Sequence, residues 1–304
     1  MDALPLPPRT RVLGASGIAV SPLAWGTWRL MAGKLSVADA GRLIHEVVDA
    51  GITLLDTADI YGYTGSSGFG DAEALLGAVF AGNPGLRERI VLSTKGGIRP
   101  PLPYDQDPAY LARAIDDSLR RLHVETIDLW HIHRPDILAH PQEVARTLDD
   151  AVSSGKIRAL GVSNFTPQQI AALQHFLGNR LATTQPEISP LRIDCFENGE
   201  LDQAMMLGLT PLAWSPIAGG RLADPQGERD RGVARALDQV ANEAGVSRTA
   251  AAYSWLMAHP AGIIPIIGSQ QIDRIAGALD ALRVRWTRQG WYTVLVAARG
   301  RKLP

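Results

Sequence analysis

Four side chains that can carry charge or move protons stand near the ends of short apolar runs. Asp56, Lys95 and His133 each follow such a run, and Tyr61 lies five positions after Asp56. A phenol has a pKa of about 10, so it needs a cation such as Lys95 to act near neutral pH. A lysine removed from water needs a carboxylate such as Asp56 to stay charged, and a neutral imidazole can donate to a carbonyl oxygen. The set predicts hydride transfer to a carbonyl, with Tyr61 as proton donor.

Because no side chain can donate a hydride, this chemistry requires a cofactor. Ser163 and Asn164 in GVSNF, together with Gln185, are neutral hydrogen-bonding groups that suit a carboxamide. Trp214 in LAWSP offers a flat face for a nicotinamide ring. These residues predict a nicotinamide cofactor beside the four charged or proton-carrying groups.

Two later segments suit the phosphates of such a cofactor. Ser215, Gly219, Gly220 and Leu222 form a loop whose backbone amides could follow a pyrophosphate. At the start of the last predicted helix, an anion site is expected from Gly268, Ser269 and Arg274. Arg274 indicates the extra phosphate of NADPH.

The elements that position these residues alternate along the whole chain. Apolar runs are followed by amphipathic helices with start signals at Ser36, Asp107 and Thr166, and this alternation predicts a parallel sheet. We expect one domain over residues 1–304, an α/β fold of the (β/α)8 TIM-barrel type, with an N-terminal β-hairpin at 12–20 closing the barrel floor. The predicted strands are 23–25, 52–55, 90–94, 127–132, 158–162, 181–184, 210–213 and 263–267.

Composition argues against several partners and compartments. The chain has 304 residues, 46% of them hydrophobic, and a formal charge of -1, which gives no electrostatic reason to bind nucleic acid or an anionic membrane. A single cysteine, Cys195, cannot form an internal disulfide, and the start lacks a signal-peptide pattern. We expect a cytoplasmic enzyme acting on a small molecule, with loosely ordered ends at residues 1–10 and 299–304.

Six motifs in order, DTADIY, STK, IHRP, GVSNF, AWSP and IIGS, resemble the aldo-keto reductase superfamily over roughly residues 10–280. The run from Lys95 to Arg221 is most similar to the bacterial YdhF-like oxidoreductases. The resemblance implies a catalytic tetrad of Asp56, Tyr61, Lys95 and His133, and a monomer that reduces an aldehyde or ketone. It implies cofactor contacts from Gly26, Thr27, Ser163, Asn164, Gln185, Trp214, Ser215, Pro216, Ile217, Gly219, Gly220, Leu222, Gly268, Ser269 and Arg274.

Two positions depart from the family pattern. Thr184 stands before Gln185 where many members carry Asn, and Gly268 stands where many NADPH-specific members carry Lys. The expectation of NADPH over NADH therefore depends on Ser269 and Arg274. For the substrate pocket we expect Trp28, Tyr61 and His133, with walls from 99–104, the loop after Trp214, and the C-terminal segment with Trp286 and Trp291.

Two other functions are compatible with parts of the pattern. Some relatives serve as partners of membrane channels, so a cofactor-sensing regulatory subunit with little turnover is the alternative. His131 and His133 face the same side of a strand and could bind a metal, as in barrel hydrolases. The other histidines fall in helices or connections, so we expect no metal and a neutral, hydrogen-bonded His131 in the core.

Overall fold

The computed structural model describes residues 3–303. The expectation of loose ends at residues 1, 2 and 304 lies outside the described residues. Within the described residues, parts of both ends are held by contacts with the rest of the fold. Ala3 pairs with Thr287, the Leu4 amide donates to the Trp286 carbonyl at 2.7 Å, and Leu303 packs against the neighbouring core.

Eight parallel strands close into a barrel, which confirms the predicted (β/α)8 fold. The strands are β1 Ala24–Gly26, β2 Leu54–Asp56, β3 Val91–Gly96, β4 Ile127–Ile132, β5 Ile157–Ser163, β6 Leu181–Gln185, β7 Thr210–Ala213 and β8 Ile264–Ile267. Strand β8 pairs with both β7 and β1, so the sheet has no free edge. Observed and predicted ends differ by at most two residues.

Helices surround the barrel, and the predicted start signals are used. Ser36 accepts the amide of Asp39, Asp107 accepts those of Ala109 and Tyr110, and Thr166 forms a reciprocal capping box with Gln169. The α-helices are α1 Val37–Asp49, α2 Asp71–Gly82, α3 Pro84–Glu88, α4 Pro108–Leu122, α5 Pro141–Ser153, α6 Pro167–Phe176, α7 Glu200–Leu207, α8 Glu228–Ala244, α9 Arg248–Met257, α10 Ile272–Ala278 and α11 Arg288–Arg299.

The predicted hairpin is present and covers one end of the barrel. Its strands are Arg11–Val12 and Ala19–Val20. The Gly14 amide donates to the hydroxyl of Thr210, the first residue of β7, at 2.9 Å. Leu13, Ile18 and Val20 of the hairpin join the apolar cluster inside the barrel. Because these contacts involve strand beginnings, the opposite rim is left for chemistry.

Helix α2 was not predicted from the sequence. Its residues, DAEALLGAVFAG, are apolar around most of the helix, so they show no clear stripe at helical spacing. In the fold α2 packs against α1 and α4, where Leu76, Val79 and Phe80 are buried. Its position matters because α2 follows directly on the segment that carries Tyr61.

Within residues 3–303, no helix combines the length and the apolar character that crossing a membrane requires.

The packing of α2 against α4 predicts a specific sensitivity at Gly77. A Cβ at this position would overlap the backbone oxygen of Arg121 at the end of α4, so one of the two helices must move. We expect Gly77→Ala to lower the free energy of unfolding by about 1–3 kcal/mol, measured by urea denaturation. Gly82→Ala in the same helix is the control, because its Cβ would meet nothing within 4 Å. Equal stability of the two variants would contradict this packing.

Candidate active site

The four predicted side chains meet at one rim of the barrel. Asp56 ends β2, Lys95 lies near the end of β3, and His133 directly follows β4. Tyr61 lies in a turn after β2, where its amide donates to the Ala58 carbonyl at 3.1 Å. Since the strands are parallel neighbours, their carboxyl ends bring these groups together.

A buried ion pair forms the centre of the site. The Lys95 Nζ donates to Asp56 Oδ2 at 2.7 Å, to the Thr57 carbonyl at 2.6 Å and to the Tyr61 hydroxyl at 3.2 Å. Lys95 is fully buried and Asp56 is 3% exposed. All three hydrogens of the ammonium thus have acceptors, as a buried charge requires.

Charge on Lys95 is maintained by its neighbours. Burial alone would lower the pKa of Lys95, but Asp56 and the Tyr61 oxygen raise it, and the net direction is upward. Lys95 is therefore a cation at neutral pH.

The phenol of Tyr61 stays protonated at neutral pH. Burial raises the pKa of Tyr61, and the opposing effect of Lys95 does not offset it. Lys95 lowers the pKa of Tyr61 as expected, but the net direction is upward, because the cost of removing a phenolate from water is larger than this attraction. The Tyr61 ring contacts Trp28 and His133 edge-on, with centroids 5.4 Å and 5.9 Å away.

His133 is a neutral imidazole beside the phenol. Burial lowers the pKa of His133 well below its ordinary value, and the positive charges of Lys95 and Arg134 lower it further. Its amide donates to the Gly96 carbonyl at 2.8 Å. Within the described part of the chain, the buried Nδ1 has no hydrogen-bond partner.

A second polar cluster adjoins the first, and it contains the residues predicted to hold a carboxamide. Asn164 accepts from Trp214 Nε1 at 2.9 Å and donates to Ser163 Oγ at 2.8 Å and to the His133 carbonyl at 3.2 Å. Gln185 Nε2 donates to Asp56 Oδ1 at 3.0 Å. Asn164 adopts a left-handed backbone with φ 60°, which suits asparagine at a strand-to-helix turn.

The loop after β7 is tightly turned. Ser215, Ala218, Gly219 and Gly220 all have positive φ, and the amides of Ala218 and Gly220 donate to carbonyls of the loop itself, those of Ser215 and Ile217. A Cβ at Gly219 or Gly220 would meet nothing within 4 Å, so the space beside these glycines is open. Pro216 and Ile217 belong to the same loop. The Leu222 side chain is buried in the core instead, and its amide donates to the Ile217 carbonyl at 3.5 Å.

The ends of β1 and β8 lie against each other. Trp25 Nε1 donates to the Ser269 carbonyl at 2.9 Å, and Gln270 Nε2 donates to the Gly26 carbonyl at 3.2 Å. The Thr27 amide donates to the Asp56 carbonyl at 2.9 Å. Gly268 precedes Ser269 in this segment. Arg274 lies exposed in the first turn of α10, and the structure does not bring its side chain into contact with Asp56, Tyr61, Lys95 or His133.

The prediction for His131 is confirmed. It is fully buried and its pKa is lowered to about 3 by burial, so it is neutral. Both ring nitrogens are within hydrogen-bond reach of hydroxyl groups, Nε2 of Thr183 at 2.8 Å and Nδ1 of Ser93 at 3.3 Å. Among residues 3–303, no group of three or more His, Cys, Asp or Glu side chains is arranged to hold a metal ion.

Two predicted pocket walls are wrong. Trp286 is 2% exposed and donates to the Ser254 hydroxyl, and Trp291 is 8% exposed and stacks on Trp255 in the core between α9 and α11. Trp28 is 64% exposed at the rim, next to Tyr61. In the segment 99–104, Arg99 pairs with Asp105 at 2.7 Å.

Sequence reasoning missed three residues that contact predicted site residues, namely Ser93 at Asp56, Gln270 at the Gly26 carbonyl and Arg134 at Trp214. The Arg134 guanidinium lies 5.7 Å from the centre of the Trp214 ring. Its position directly after His133 was the available signal, since polar residues following a barrel strand face the open rim.

Comparison with known proteins relates this geometry to a family. The model of the Aldo/keto reductase family matches residues 22–294. A 6-dehydroglucose reductase from Novosphingobium aromaticivorans is 74% identical over 304 residues, with coverage of 100% of both chains. Oxidoreductase YdhF from Escherichia coli is 37% identical over 96% of this chain and 98% of its own, in line with the YdhF-like motifs.

A solved structure supports the fold alone. A thermostable aldo-keto reductase in complex with the inhibitor epalrestat aligns with a TM-score of 0.79 at 22% identity, over 95% of this chain and 99% of the other.

The buried ion pair predicts a large stability loss in Asp56→Asn, because the variant leaves the Lys95 ammonium without a counter-charge. We expect the free energy of unfolding to fall by about 3–5 kcal/mol at neutral pH. Asp49→Asn is the control, since its partner Arg89 and Asp49 itself are 47% and 64% exposed, and its loss should stay below about 1 kcal/mol.

The pH dependence of this loss has a definite sign. In the wild type the raised pKa of Lys95 contributes stability that is lost only as pH rises through that value. In Asp56→Asn burial depresses the pKa, so the variant regains stability as pH rises and the amine loses its proton. Denaturation across alkaline pH measures this, and a constant difference between the two proteins would contradict the pairing.

Proposed function

This chain belongs to the aldo/keto reductase family, and from this premise we propose that it reduces an aldehyde or ketone to an alcohol with NADPH, with Tyr61 as the proton donor. It is an oxidoreductase that acts on carbonyl and CH–OH groups. The observation that carries the proposal is the hydrogen bond of 3.2 Å from the buried Lys95 ammonium to the Tyr61 hydroxyl.

Each of the four groups has a distinct part in this mechanism. The protonated phenol gives its hydrogen to the oxygen of the carbonyl as that carbon is reduced. The phenolate left behind is stabilised by the Lys95 ammonium, which is already in hydrogen-bond contact. Asp56 keeps the ammonium charged, and the neutral His133 donates to the carbonyl oxygen and orients it next to Tyr61.

The residues around the rim fit a nicotinamide dinucleotide. When bound, NADPH supplies the hydride. Ser163, Asn164 and Gln185 form a linked amide and hydroxyl cluster that would hold a carboxamide, and Trp214 lies within it as a stacking surface. Gly219 and Gly220, which face open space in the loop after β7, would lie along the pyrophosphate, and Ser269 and Arg274 would contact the additional phosphate. The proposed set also includes Gly26, Thr27, Ser215, Pro216, Ile217, Gly219, Gly220, Leu222 and Gly268.

For the substrate we propose an aldehyde on a hydroxylated carbon chain. The relative that is 74% identical is named 6-dehydroglucose reductase, and this name supports a sugar-like aldehyde. Arg134 supports it as well, because its half-buried guanidinium has no acidic partner among the described residues and follows His133 directly. Such a group can donate to several hydroxyl oxygens. Trp28 would cover the sugar's apolar face.

We further propose that residues 1–304 act as one domain and that the chain works as a monomer. The family model covers one continuous stretch, and the described N-terminal residues pack against the segment before α11. A cytoplasmic location stays a prediction of the sequence.

Replacement of the phenol tests the proposed proton donor. We expect Tyr61→Phe to lower the rate of NADPH oxidation with a sugar-derived aldehyde by about 10²–10⁴-fold, because the general acid is lost. NADPH affinity, followed by fluorescence, should be unchanged. Tyr63→Phe is the matched control, since that hydroxyl donates to the Gly65 carbonyl at an exposed turn.

Two results would contradict the proposal. Full activity of Tyr61→Phe would exclude the proton donor, and tight NADPH binding by a wild-type protein that reduces no carbonyl would favour the regulatory alternative.

The pKa directions predict the pH profile of carbonyl reduction. His133 is neutral far below its ordinary value of 6.5, and Tyr61 stays protonated above its ordinary value of 10.0. We therefore expect kcat/KM for reduction to be flat through mildly acidic and neutral pH and to fall only in the alkaline range. Steady-state rates across pH measure this. A loss of activity as pH falls through 6.5, the ordinary pKa of histidine, would contradict the prediction.

A further inference from the structure

A chain of buried hydrogen bonds continues from Asp56 into the barrel interior. Ser93 Oγ donates to Asp56 Oδ1 at 3.1 Å and lies 3.3 Å from His131 Nδ1. His131 Nε2 lies 2.8 Å from Thr183 Oγ1. Ser93, His131 and Thr183 are all fully buried, so no solvent competes for these bonds. Four strands, β2, β3, β4 and β6, contribute one residue each.

The hydrogen bond from Ser93 to Asp56 sets the direction of the other bonds in this chain. The Asp56 carboxylate can only accept, and the single hydroxyl hydrogen of Ser93 is directed to it. The Ser93 oxygen then accepts from His131 Nδ1–H, which makes Nε2 the acceptor for the Thr183 hydroxyl. A neutral imidazole has one donor and one acceptor nitrogen, as this arrangement requires.

The neighbouring strand leaves room for the imidazole. A Cβ at Gly161 of β5 would overlap the His131 ring and Thr183 Oγ1. Gly161 pairs in register with both His131 and Thr183. The ring therefore lies directly over the glycine backbone, held on one side by Ser93 and on the other by Thr183.

The two oxygens of Asp56 have different partners. Oδ2 accepts from Lys95, whereas Oδ1 accepts from Ser93 and Gln185. Gln185 is also one of the proposed cofactor contacts, whereas Ser93 is not. Ser93 is therefore the donor to Oδ1 that can be replaced without changing a proposed cofactor contact. If the Ser93 hydroxyl turns away, the carboxylate loses a contact that fixes its rotation and with it the direction of Oδ2 toward the ammonium.

We propose that His131 is a positioning residue for carbonyl reduction: by occupying the Ser93 oxygen it directs the Ser93 hydrogen to Asp56, and so fixes the Asp56–Lys95 pair beneath Tyr61. This inference rests on the proposed function of the same site. It assigns a role to a histidine that touches neither substrate nor cofactor.

The test compares variants along the chain by the single-turnover rate of hydride transfer from NADPH to the sugar-derived aldehyde used for Tyr61→Phe. We expect Ser93→Ala and His131→Leu each to slow this step by about tenfold, because the catalytic groups are displaced. The Kd for NADPH should stay within about twofold of the wild-type value, since ground-state binding is not affected. His131→Gln can still donate to Ser93 and accept from Thr183, and it should recover most of the rate.

The double variant gives the sharpest result. Because both residues act through the same hydroxyl, Ser93→Ala combined with His131→Leu should be no slower than Ser93→Ala alone. Thr94→Val is the control for stability: Thr94 is equally buried on β3, but its hydroxyl donates to Glu73 and does not contact Asp56. This variant should lose stability and keep the wild-type rate.

Several outcomes would overturn the inference while leaving the proposed function intact. A wild-type rate in His131→Leu, or fully additive losses in the double variant, would show that His131 only fills the core. Side-chain nitrogen NMR gives a readout independent of turnover, in which His131 should be protonated on Nδ1, and a proton on Nε2 would contradict the chain. If His131→Leu does not fold, the NMR readout and Ser93→Ala still decide, since a wild-type rate in Ser93→Ala would overturn the inference. Absence of turnover in the wild type would instead refute the proposed function.

Discussion

A lysine ammonium with no exposed surface is the constraint on which the rest of this site depends. Its charge has no water to stabilise it, so the fold must supply acceptors in three directions, and it does so with Asp56, the Thr57 carbonyl and the Tyr61 hydroxyl. The Thr57 carbonyl is fixed by the backbone after β2, and the Asp56 carboxylate is held by donors from Ser93 and Gln185. The third acceptor, the Tyr61 hydroxyl, is the proposed proton donor. Stability of the rim and readiness for proton transfer thus depend on the same bonds.

The barrel makes this arrangement possible because neighbouring parallel strands end at one level. Asp56 and Ser93 pair across β2 and β3, and Lys95 and His131 pair across β3 and β4. Polar side chains of the upper interior can therefore bind one another, while the lower interior is filled by apolar residues and by the hairpin. Asn164 extends the network to Trp214 on the far side of the rim. A continuous set of hydrogen bonds thus joins the proton-carrying groups to the proposed cofactor residues.

Much of this could be predicted from the sequence, because apolar runs identify strands and the polar residue after each run identifies the rim. The barrel, the hairpin and the meeting of Asp56, Tyr61, Lys95 and His133 followed from that pattern. The roles of Ser93 and Thr183 could not, since which polar residues inside the barrel touch depends on strand register. The pKa of Tyr61 also depends on the balance of burial against one charge, which no spacing reveals. The sequence around Trp286 has no pattern that distinguishes a residue of the pocket wall from a residue of the core.

The central claim is that Lys95 carries its proton, that Asp56 does not, and that the Tyr61 phenol is protonated at neutral pH. Neutron diffraction from crystals exchanged into deuterium oxide locates these hydrogens directly. The account predicts a fully deuterated Lys95 ammonium directed at Asp56, the Thr57 carbonyl and the Tyr61 oxygen, a deuterated Tyr61 hydroxyl and two bare oxygens on Asp56. A deuteron on Asp56 beside a neutral Lys95 amine, or a Tyr61 phenolate, would contradict it.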